Sequence, residues 1–166
     1  IGALTAIGSC FASQQKFEEA RDVFGKAYAL FPTDAGIVSN YCQLLVLSGA
    51  HDDALQILNR ATKLQPKDPV LLHQKAQSLL VQDKPSEAYK PLQQAIKLDP
   101  DNTQIRANMI FCLRKLGQYE LVERVCRTFV DEDLINSPLG DLMSDTYFAL
   151  GHDDKAWDLL SCLDTH

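Results

Sequence analysis

The chain has 166 residues, 46% of them hydrophobic, with 16 Lys and Arg against 22 Asp and Glu for a net charge of −6. This is enough apolar material for a core, and 8 Gly with 7 Pro are too few for a disordered or collagen-like chain. The acidic balance argues against general nucleic-acid binding, which relies on a basic stripe, and no run approaches the roughly 20 apolar residues of a membrane helix.

Ile1 opens the chain in place of a Met, which predicts an excerpt of something longer. Residues 1–15 lack the charged start and cleavage-like end of a secretory signal. Leu4, Ile7, Gly8 and Phe11 fall at the spacing of one helical face. A polar break over 14–17 follows, and Ala20, Phe24 and Ala27 mark a second face that ends at Pro32, a residue that cannot continue a helix interior. The same pattern returns 34 residues later as Val38, Tyr41, Cys42, Leu45, Ala54, Leu58, Ala61 and Pro66, and again as Leu72, Lys75, Ala76, Leu79, Ala88, Leu92, Ala95 and Pro100. A further step reaches Val122 and then Ala156, and Leu116-Gly117 and Leu150-Gly151 keep the period. Five units follow: 1–34, 35–68, 69–102, 103–136 and 137–166. Small residues let two helices approach and large ones fill the groove between them, so each unit reads as a helical hairpin that stacks on its neighbours.

The last two units depart from the pattern. Arg106 replaces the first large apolar residue, Phe129 stands where a small residue is expected, and Leu134 replaces the Pro. An irregular fourth-to-fifth junction is expected, with a new helix starting at Ser137-Pro138, since Pro suits a first helical turn. Lys75 also departs, and its stem is expected to pack while its ammonium reaches solvent.

The spacing of aromatic or large apolar, Leu-Gly-like, Ala, Phe or Tyr, Ala and Pro positions resembles the tetratricopeptide repeat family over the full chain. The resemblance implies an all-α, right-handed superhelical solenoid, here a single domain over 1–166 of five hairpins, whose first helices line a concave groove. It further implies that unit positions 2, 5, 6, 9, 12 and 13 face that groove. Position 6 carries Asn40, Gln74 and Asn108 between Ala6 and Leu142, and Gln43, His73 and Gln77 stand beside them. Each amide donates and accepts, which suits the main chain of an extended peptide. The row is similar to the asparagine ladder of the O-linked N-acetylglucosamine transferase superhelix. Val46, Leu47, Leu80 and Val81 are expected either to form an apolar shelf or to be partly buried between units, and Arg114 to supply a cation for an acidic partner residue. The fifth unit holds one basic residue against six acidic ones, so Asp141 and Asp145 make an acidic end that serves either a basic partner or solubility.

One member function does not transfer. Family members that clamp the acidic C-terminus of heat-shock proteins use Lys, Asn and Arg at positions that here are Thr5, Ser9, Asn40, Val70 and Gln74; only Asn40 fits, and a carboxylate terminus needs the missing cations.

Candidates for other chemistry are sparse. The strings His51-Asp52-Asp53 and His152-Asp153-Asp154 precede second helices, where carboxylates favour a helix N-terminus, so they read as turn caps rather than metal ligands. Cys42 and His73 sit on neighbouring units, yet Cys42 holds the small core position of Gly8 and Ala76. Five cysteines (Cys10, Cys42, Cys112, Cys126 and Cys162) include no CxxC pair, which predicts packed thiols in a reducing, cytoplasmic setting. No nucleophile motif, metal site or cofactor is expected. The sequence therefore predicts a non-catalytic protein-interaction scaffold that binds a peptide segment, with the alternative of a repeat arm on a larger transferase or hydroxylase. It also predicts a homodimer or a longer repeat array through the C-terminal face, where Trp157, Leu160 and Leu163 are candidates for exposure.

Overall fold

The computed structural model describes residues 2–126 and 138–157. Its helices are α1 Gly2–Ser13, α2 Phe17–Leu30, α3 Ala35–Leu47, α4 His51–Leu64, α5 Pro69–Val81, α6 Pro85–Leu98, α7 Thr103–Lys115, α8 Tyr119–Cys126 and α9 Pro138–Ala149, and residues 153–157 are again helical. The fold is all-α, with no strand among the described residues, and α9 begins at the predicted Pro138. The chain divides into two compact units, 1–101 and 102–166. Phe129, Leu134, Leu160 and Leu163 lie outside the described residues.

Each hairpin turns through the same local geometry. Gln15, Gly49, Asp83, Gly117 and Gly151 all take positive φ, between 54° and 81°, and they recur every 34 residues. The next residue's N–H then reaches back five residues, as from Lys16 to Phe11 O (3.0 Å), Ala50 to Leu45 O (2.7 Å) and Lys84 to Leu79 O (2.9 Å). This left-handed closure satisfies carbonyls that a helix end would otherwise leave orphaned. It feeds the chain straight into the second helix, which explains why α2, α4 and α6 have no side-chain N-cap.

The first helices start differently. The Asp34 carboxylate accepts from Ile37 N at 2.9 Å, Asp68 from Val70 N and Leu71 N at 2.9 and 3.1 Å, and Asn102 from Ile105 N at 3.2 Å. A cap of this kind stabilises by about 0.5–2 kcal/mol, and its recurrence every 34 residues ends one hairpin and starts the next.

Inside the hairpins, Ala20, Ala27, Ala54, Ala61, Ala88 and Ala95 are almost wholly enclosed, as are Phe24, Leu58 and Leu92. Burying each of the three large side chains is worth about 1.5–3 kcal/mol. Phe24 lies against Gly8 so closely that an added Cβ would meet its ring at 2.8 Å. The facing pairs trade volume: Gly8 with Phe24, then Cys42 with Leu58 and Ala76 with Leu92. In the fourth hairpin a buried Ile110 holds the first of these positions.

Hairpins join through a second apolar face of the first helices. Ile37 and Leu71 are buried, and so are Leu44 and Ser78 seven residues further on. Leu44 packs with Ala20 and Phe24 of the preceding hairpin, and Leu71 with Leu58 and Ala61. Tyr41 adds an aromatic wedge, its ring centroid 6.5 Å from Phe24 and 6.0 Å from Tyr28. Within residues 2–101, the backbones of α1, α3 and α5 approach one another in sequence, whereas those of α2, α4 and α6 approach only first helices. Neighbouring second helices meet through long side chains, as in the Arg21–Asp53 ion pair at 2.9 Å. The closer spacing of first helices makes theirs the inner side.

In the unit over 102–166, Ile105, Met109, Ile110, Leu113, Val122 and Ala156 are buried. Arg106 is half-buried where earlier hairpins bury Val38 and Leu72. Trp157 packs edge-on against Phe148, with ring centroids 5.6 Å apart, and stays 63% exposed.

Candidate functional site

The inner face of α3 and α5 arises from repeat spacing: residues 34 apart on adjacent first helices stand side by side. Gln43 and Gln77 are both exposed there. One helical turn on, Leu47 is 64% and Val81 55% exposed, and Val70 is exposed near the start of α5. Val46 and Leu80 are half-buried, and Val46 packs against the core around Val38 and Leu45. Half of the expected apolar shelf is thus accessible and half belongs to the packing between helices.

The deeper row behaves differently from a free amide ladder. Asn40 and Gln74 are half-buried, and Gln74 Nε2 donates to Ser39 Oγ. Its Oε1 is enclosed and has no partner. Gln74 therefore braces α5 against α3, and the accessible amides of this face are Gln43 and Gln77. His73 is also half-buried, and burial pushes its pKa below the ordinary value of 6.5. It is a neutral ring at pH 7, able to donate from one nitrogen and accept at the other.

In the unit over 102–166, Asn108 is half-buried and engaged in contacts of its own. Phe111, at the position equivalent to Gln43 and Gln77, is 41% exposed, and the Lys115 ammonium lies 5.8 Å from its ring centroid. Arg114 does not stand open for a partner carboxylate: its Nη2 lies 3.1 Å from Asp145 Oδ2 on α9. The two charges that were to bind opposite partner groups are paired with each other. Asp141 falls in α9, but its side chain lies outside the described residues.

The other strings resolve into structure. Asp52 and Asp53 occupy the first turn of α4 without forming a side-chain cap, and Asp53 pairs with Arg21 instead. Asp153 and Asp154 are exposed at the start of the 153–157 helix. Cys42 Sγ points inward, 3.7 Å from Ala54 O, and burial pushes its pKa up to about 12. A thiol so held is not a thiolate at neutral pH and makes a poor nucleophile. No three His, Cys, Asp or Glu among the described residues come together as a metal-holding group, and no described helix is long and apolar enough to cross a membrane.

A cleft of about 540 Å³ on the opposite side, between α4 and α6, was not singled out from the sequence. Its floor includes Lys75 between Leu72 and Leu79. The available signal was Lys75 itself, a charge at a position that is otherwise apolar or aromatic in the first three units.

Residues 11–78 match a family model described as tetratricopeptide repeat. No curated protein sequence matches the chain. Solved structures do. A tetratricopeptide repeat protein from Parabacteroides merdae ATCC 43184 is 18% identical with a TM-score of 0.73, covering 98% of this chain and 63% of that one. YrrB, a repeat protein with an unusual peptide-binding site, is 18% identical with a TM-score of 0.77, over 96% of this chain and 82% of its own. The first repeat domain of Spaghetti (RPAP3), bound to the HSP90 peptide SRMEEVD, is 19% identical with a TM-score of 0.62, over 69% of this chain and 91% of its own.

Proposed function

We propose, from the place of this chain in the tetratricopeptide repeat family, that it is a non-catalytic protein-interaction scaffold holding an extended peptide segment against its first helices. The observation that carries this reading is the double row on α3 and α5: accessible amides at Gln43 and Gln77, with exposed Leu47 and Val81 one turn away. Amides take main-chain N–H and C=O groups whatever the peptide sequence, and each neutral hydrogen bond contributes about 0.5–1.5 kcal/mol net. Apolar side chains on the peptide add about 25 cal/mol per Å² buried on Leu47 and Val81, so preference among peptides arises there. Gln74, bonded to Ser39, braces α3 against α5 with Asn40 and His73 half-buried beside it, and on α7 the exposed Phe111 stands at the position of the two amides. Peptide-binding relatives of the same fold, YrrB and the HSP90-peptide complex, support the general mode. They do not supply the partner, because Thr5, Ser9, Val70 and Gln74 replace the clamp residues for an acidic terminus.

The test is selection of binders from a displayed random-peptide library on the intact chain, followed by rebinding to two variants. Gln43→Ala with Gln77→Ala should weaken most selected peptides severalfold, and Leu47→Ser with Val81→Ser should weaken them and blunt their sequence preference. Unchanged binding to both folded variants would sink this assignment.

A further inference from the structure

The cleft between α4 and α6 lies on the side away from the peptide face, and three helix faces converge on it. Asn59 and Lys63 come from α4, Lys75 from α5, and Glu87, Lys90 and Gln94 from α6. We propose that this cleft is a second binding site, which seats a phosphorylated side chain of a partner protein. Three ammonium groups against one carboxylate leave the lining with two surplus positive charges. A phosphate monoester carries about −1.5 to −2 at neutral pH, whereas a single carboxylate would leave the surplus half unmet. None of Lys63, Lys75 and Lys90 makes an ion pair or hydrogen bond among the described residues, so their charge is available to a ligand. Asn59 and Gln94 add amide donors for phosphate oxygens.

The surroundings fit a phosphorylated residue within a peptide better than a free ion. A volume of about 540 Å³ far exceeds the roughly 30 Å³ that one water occupies in the liquid, and Leu72, Leu79 and Pro91 provide apolar wall for residues on either side. Nucleic acid would want a basic stripe along the surface; here three cations are gathered in one cleft of a chain with net charge −6.

Lys75 is the residue on which the site turns. It stands at the repeat position held by Ile7, Tyr41 and Met109 in other hairpins, and burial together with the charge of Lys63 lowers its pKa, with Glu87 acting the other way. An ammonium kept against burial and a like charge destabilises the empty protein, and an entering dianion would relieve both. The site is independent of the peptide face on α3 and α5, so either can fail alone.

The experiment uses the intact chain with a pool of random peptides containing one phosphoserine, the same pool unphosphorylated, and inorganic phosphate. Retention of the phosphorylated pool should exceed that of the unphosphorylated pool at least tenfold, and Lys75→Met should abolish the difference. Gln43→Ala with Gln77→Ala should leave it intact. Lys75→Met exchanges a half-buried charge for an apolar chain and is expected to fold; the exposed Lys90→Gln, expected to reduce retention severalfold, serves as an independent check. Equal retention of both pools, full retention by Lys75→Met, or inorganic phosphate binding as tightly as the selected phosphopeptides would each overturn the proposal.

Discussion

Position 15 of each hairpin shows how a single residue holds geometry against its own preference. Gly49, Gly117 and Gly151 adopt the left-handed region freely, but Gln15 and Asp83 do so at φ of 59° and 54°. Left-handed backbone costs an ordinary residue roughly 1–2 kcal/mol, less for Asp, whose short side chain bonds locally. Replacement by Gly also adds freedom to the unfolded chain, worth about 0.4–1 kcal/mol in the other direction. Gln15→Gly should therefore raise stability by about 0.5–1 kcal/mol and Asp83→Gly by less, read as a shift of the urea midpoint at constant slope. A loss of stability in both would mean that the Gln15 and Asp83 side chains stabilise their turns by more than the strain. His73 carries a second residue-scale consequence. Its folded pKa lies below the unfolded 6.5, so the unfolded chain binds more protons as the pH falls through that value. Stability should thus decline on acidification below about pH 6.5, and the decline should be shallower in His73→Gln, measured by urea melts at two pH values.

At the scale of the helix, the repeat was legible because its strongest requirements are local. Two helices crossing closely demand Ala20, Ala54 and Ala88 and the large residues facing them, and that spacing survives in a bare string of letters. The second apolar face was not legible. Ile37, Leu44 and Leu71 meet the preceding hairpin, so first helices are apolar around much of their circumference and no single stripe stands out. Contacts that depend on neighbouring hairpins were equally hidden: Ser39 with Gln74, and Arg114 with Asp145, lie more than thirty residues apart. That is why the sequence assigns Gln43, Gln77, Gln74 and Arg114 alike to the groove and does not reveal that the last two are engaged within the chain. The exchange of volume within hairpins is open to a direct test. Gly8→Ala drives a Cβ into the enclosed Phe24 ring and should cost about 1–3 kcal/mol. Adding Phe24→Leu, which recreates the smaller partner seen at Leu58, should recover part of it. A double-mutant cycle with coupling near zero would show that the two positions do not share volume.

For the whole molecule, charge and aromatic residues are unevenly placed. Most of the acidic excess belongs to residues 137–166, while the first three hairpins are close to neutral. The longest run of stacked hairpins, and with it the aromatic wedge of Tyr41, falls within 1–101, and stability in such arrays grows with each neighbour interface. The chain's single tryptophan lies in the other compact unit, edge-on to Phe148. Its optical activity in the near ultraviolet depends on that fixed ring geometry, whereas the far-ultraviolet signal sums over every helix. Trp157 is therefore a built-in reporter for one half of the protein. In urea its band should fade before the helical signal does, so that the two transitions do not coincide.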